Sequence, residues 1–69
     1  MSTDGTFLRT TIHDLNNALT RIVALAELIA SQTSDEQAGR DARDICDAAL
    51  SARELVADLA QDAERRAEP

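Results

Sequence analysis

Two reactive side chains occur once each in this 69-residue chain: one histidine, His13, and one cysteine, Cys46. Together they cannot supply the four ligands of a structural zinc site, and a single cysteine excludes a disulfide within the chain. Cys46 reads as a small apolar packing residue. An imidazole on its own can still act as a nucleophile or carry a proton. A carboxylate, Asp14, follows His13 directly, and an amide, Asn17, stands four residues on. In a helix that spacing places His13 and Asn17 on one face, a turn apart.

Helix is what the surrounding spacing predicts. Apolar residues recur at Leu8, Ile12, Leu15, Leu19, Ile22, Ala26 and Ile29, alternating steps of four and three. That is the stripe of a helix packed against other helices. A second stripe runs through Ala38, Ala42, Ile45, Ala49, Ala52, Val56, Leu59 and Ala63. The polar stretch 31–35 separates them. Helix 1 is expected over about 6–32 and helix 2 over about 35–66, each about 40 Å long. The short loop makes them antiparallel.

Local signals mark the helix ends. Ser2, Thr3 or Asp4 can cap the first helix, and Pro69 lies beyond the second. Ser34 with Gln37, or Thr33 with Glu36, would form a capping box at the start of helix 2. Gly39 costs helix about 1 kcal/mol relative to alanine, so either it permits a close approach or helix 2 begins after it. Glu36 with Arg40, Arg40 with Asp44 and Arg43 with Asp47 are spaced as i,i+4 ion pairs on a solvated face.

Size then dictates assembly. A chain this short forms a single domain, residues 1–69, and buries little apolar surface. With metal and disulfide excluded, oligomerisation remains. Ala18, Val23 and Leu25 widen the first stripe, and Ala48, Leu55 and Ala60 widen the second. Each helix therefore carries apolar surface for more than one neighbour. The expected fold is all-α, an antiparallel two-helix hairpin that dimerises into a four-helix bundle.

The net charge of −6 and the lack of a basic cluster argue against nucleic acid or an anionic membrane as partner. No signal peptide is visible, and the longest apolar run, residues 22–26, is too short to span a bilayer. A cytoplasmic location and no membrane insertion by this segment are expected.

With Ile12 and Leu15 in the stripe, His13 points outward, on the face of Thr6, Thr10, Asn17, Thr20 and Ala24. A core role is thereby excluded. The string His13-Asp14-Leu15-Asn16-Asn17-Ala18-Leu19-Thr20 resembles the phospho-acceptor motif of bacterial sensor histidine kinases. In that family the motif lies on the first helix of a dimeric hairpin. An acidic residue follows the histidine, and an asparagine or threonine stands four residues after it. The resemblance spans nearly the whole chain as architecture and about eight residues as motif.

The resemblance implies that His13 accepts a phosphoryl group. A solvated imidazole is substantially neutral at pH 7, with a ring nitrogen free to attack phosphorus. Asp14 would orient the ring or accept its proton. Asn17 would position a water for hydrolysis of a regulator's phospho-aspartate. Arg9, one turn before His13, reads as a solvated arginine rather than a phosphoryl contact.

The implied partners are a second copy of the chain, a response-regulator receiver domain and, where one is supplied, a separate kinase ATP-binding domain. Regulators would dock below the histidine, on Thr20, Arg21 and Ala24 of helix 1 and Asp47, Leu50 and Glu54 of helix 2. Leu50 is singled out because its phase turns it outward among charged neighbours. The chain has two glycines and no glycine-rich loop. No cofactor is expected in it, and no autonomous ATP-dependent activity. The competing reading is a non-catalytic hairpin that dimerises or binds a partner while His13 stays idle.

Overall fold

Spacing in threes and fours folds into two long helices, α1 (Gly5–Gln32) and α2 (Glu36–Ala67). The computed structural model describes residues 5–67. The helices pack side by side as an antiparallel hairpin measuring 54 × 15 × 15 Å. The candidate caps Ser2, Thr3 and Asp4, and Pro69, lie outside the described residues.

The start of α2 corrects one expectation. Neither expected capping box forms. Asp35, the residue just before the helix, supplies the cap: its Oδ1 accepts the backbone N–H of Gln37 at 2.9 Å and of Ala38 at 3.3 Å. Thr33 stands too early to cap, and its hydroxyl oxygen accepts the Asp35 N–H at 3.1 Å, which turns the chain. Glu36 in the first turn and Arg65 and Arg66 in the last complement the helix dipole.

Helix 2 begins before Gly39, so that residue lies inside it. None of the three expected i,i+4 ion pairs is present among the described residues. The Gln37 amide stands between the charges instead, donating to Asp41 at 2.8 Å and accepting from Arg40 at 3.0 Å. Exposed pairs gain little, so a neutral amide displaces them readily. Further along, Arg66 holds Asp62 at 2.8 Å.

Small residues make the seam. The buried apolar residues are Ala26 on α1 and Ala42, Ala49 and Val56 spread along α2, flanked by half-buried Ile12, Leu19, Val23 and Cys46. The bulkier stripe members Leu15, Ile22, Ile29, Ile45 and Leu59 are not in this core; each is 42–50 % exposed. Alanines let the two backbones approach, and the branched residues rotate onto a second apolar face. Among the described residues no large side chain is fully buried. A hairpin with so thin a core is marginal on its own.

Candidate functional site

His13 lies in the first half of α1, nine positions before Ile22. Nine helical residues make two and a half turns, so the histidine looks about 180° away from the exposed apolar face. Its side chain is 74 % exposed, and that of Asp14 is 73 % exposed. Asp14 Oδ1 lies 3.7 Å from His13 Nδ1. The separation exceeds a hydrogen bond, yet a small side-chain rotation closes it. A carboxylate brought to hydrogen-bond distance of Nδ1 would favour a proton there and leave the Nε2 lone pair facing water.

Asn17, Thr20 and Ala24 are exposed and follow His13 along one strip. Arg21 is exposed as well, but it lies seven residues from Asp14, about 100° round from Thr20. On α2, Asp47, Leu50 and Glu54 are exposed along a strip of their own. Leu50 is 45 % exposed, which agrees with the outward phase read from its spacing.

One contact shows that the two strips look the same way. The Cys46 thiol donates to the Val23 carbonyl oxygen across the seam at 3.7 Å. Burial raises the pKa of this thiol, and the carboxylates of Glu27 and Asp47 raise it further. Glu27 lies two heptads after His13 and so on its face, while Leu50 lies one turn after Cys46. The histidine strip of α1 and the Leu50 strip of α2 therefore border the same side of the seam. His13, Asn17, Thr20, Ala24, Asp47, Leu50 and Glu54 belong to one surface, with Arg21 and Asp14 at its edge.

Above this surface, at the open end of the hairpin, Leu8, Ile12, Ala60 and Ala63 line a groove of about 320 Å³ rimmed by Arg9 and Glu64. The Arg9 guanidinium turns back over Gly5: its Nη2 lies 3.4 Å from where a Cβ on that glycine would stand. It is directed away from His13. Sequence reasoning assigned nothing to Asn16, which is half-buried beside the seam. Its signal was the asparagine doublet, whose two members must face about 100° apart.

Among the described residues no group of three histidine, cysteine, aspartate or glutamate side chains could hold a metal ion. No described helix is long and apolar enough to cross a membrane. The family model of the His Kinase A (phospho-acceptor) domain matches residues 3–68. No curated protein and no solved structure matches the chain significantly.

Proposed function

This chain belongs to the His Kinase A phospho-acceptor domain family, whose members carry the phospho-accepting histidine of two-component signalling, and from that premise we propose that His13 relays a phosphoryl group to the aspartate of a response-regulator receiver domain. The observation that carries the reading is the chain's only histidine, exposed on α1 with the Asp14 carboxylate 3.7 Å from its Nδ1.

The chemistry follows from that arrangement. His13 Nε2 attacks the γ-phosphorus of ATP held by a separate ATP-binding domain. The N–P bond forms as the bond to the bridging oxygen breaks, and ADP leaves with that electron pair. Asp14 holds the Nδ1 proton, offsets the positive charge that develops on the ring, and accepts the proton as charge is relieved. In the second transfer a receiver carboxylate oxygen attacks the same phosphorus. The Nδ1 proton returns from Asp14, the N–P bond breaks with its electrons going back to Nε2, and the neutral imidazole is regenerated. Asn17, a turn below, orients a water towards the receiver's aspartyl phosphate for the reverse, hydrolytic duty.

The same reading makes the chain a cytoplasmic homodimer. Domains of this family dimerise in histidine kinases. Here Leu15, Ile22 and Ile29 of α1 and Ile45 and Leu59 of α2 form an exposed apolar face turned from His13. Pairing two such faces gives a four-helix bundle that leaves the acceptor surface open.

The test is direct. The chain with ATP and magnesium alone should stay unlabelled. Addition of a kinase ATP-binding domain, or of a phosphorylated receiver domain, should produce an acid-labile label that His13→Gln removes while helicity is kept. A label that survives His13→Gln overturns the assignment. A dimer that never takes label under either condition supports a purely structural hairpin instead.

A further inference from the structure

Every arginine of α2 but Arg53 has a carboxylate three or four residues away: Glu36 and Asp44 for Arg40, Asp47 for Arg43, and Asp62 for Arg65 and Arg66. Only Arg66 holds its carboxylate at ion-pair distance. Arg53 is different. Three and four residues from it stand Ala49, Leu50, Val56 and Ala57, and no ion pair among the described residues includes it. Its planar fork of donors is uncommitted.

The Cys46–Val23 contact places this arginine. Seven residues on a helix return to nearly the same face two turns along. A step of seven from Val23 towards the open end reaches Asn16, and the matching step along antiparallel α2 from Cys46 reaches Arg53. A second step reaches Arg9 and Ala60, which do line one groove together. Arg53 is thus level with Asn16 across the seam, on the side that carries His13, Asn17 and Leu50.

We propose that Arg53 is a positioning residue of the acceptor surface, pairing with carboxylates of the acidic protein partner that brings its aspartate to His13. The inference rests on the relay reading. A partner that takes the phosphoryl group on a carboxylate presents negative charge at the contact. The chain itself carries −6, and Asp47 and Glu54 stand on the same surface. Approach is therefore repulsive except where a cation is uncommitted. Arg9 and Arg21 also lack a carboxylate a turn away, but Arg9 turns back over Gly5 and Arg21 stands at the outer edge of the surface. Arg53, beside the seam, is the cation placed to favour one docked orientation over its neighbours.

The test uses whichever receiver domain takes label from the wild-type chain. Its affinity is measured by calorimetry over a range of salt concentrations for wild type, Arg53→Gln, Arg53→Lys and Arg40→Gln. Arg53→Gln should bind about fivefold more weakly at low salt, the deficit shrinking as salt screens the pair. Arg53→Lys should keep most of the affinity. Arg40→Gln, the same change in net charge elsewhere, should bind as wild type does. Equal binding by Arg53→Gln, an equal loss in Arg40→Gln, or a deficit that salt leaves untouched overturns the proposal. Failure of every receiver to exchange label with His13 overturns the relay reading and this inference together. Normal exchange with an unmoved Arg53→Gln affinity overturns this inference alone.

Discussion

A Cβ added to Gly39 would stand 3.8 Å from Cγ2 of Thr33, at ordinary van der Waals contact. The glycine answers no steric demand of the hairpin. Its backbone is helical without a positive φ, so it carries the entropic cost of glycine with no local return. Gly39→Ala should raise stability by about 1 kcal/mol in urea denaturation. A lowered midpoint would mean that the dimer needs the gap.

The exposed apolar face carries the second prediction. Ile22→Asp places a charge at the centre of that face, on the side of α1 away from His13. Light scattering across a dilution series should show wild type as a dimer at micromolar concentration and the variant as a monomer of reduced helicity. A folded, stable wild-type monomer would sink the bundle.

The 3.7 Å approach of Asp14 to His13 is tested by Asp14→Asn. The amide keeps the shape but accepts no proton. Labelling of His13 by an ATP-binding domain should slow by about a hundredfold. An unchanged rate would make the carboxylate a solvated bystander.

Asn17 is expected to act on water rather than on the imidazole. Asn17→Ala should slow dephosphorylation of a partner receiver more than it slows transfer through His13. Equal losses in the two rates would point to a general role in binding.

Leu50 shares the acceptor surface and is only partly covered by its neighbours. Leu50→Asp should weaken receiver binding and transfer while sparing the dimer. Titration of the variant, with circular dichroism alongside, separates the alternatives. Unchanged affinity means an isolated surface leucine, and lost helicity means one buried in the assembly.

Much of this was legible in advance, and the exceptions share a cause. The helix bounds followed from periodicity to within a residue at each described end. The outward turn of His13 followed from its place between Ile12 and Leu15. The division of the apolar arc did not. Leu15 and Ile22 are as hydrophobic as any seam residue, and spacing alone does not say which part of a wide arc meets the nearer helix. The alanines of α2 decide it, through how closely the backbones approach. The cap was ambiguous for a related reason: Thr33, Ser34 and Asp35 all can cap, and only the path of the loop selects Asp35. Arg53 became visible once the Cys46–Val23 contact had set one helix against the other.

Every side chain assigned to the acceptor surface comes from one hairpin, on the flank turned from Ile22. Such a surface borrows nothing across a bundle axis. In a mixed assembly of intact and His13→Gln chains, the intact member would retain a whole docking platform. Loading would then count intact chains rather than intact pairs, and the two flanks of the rod would behave as separate berths.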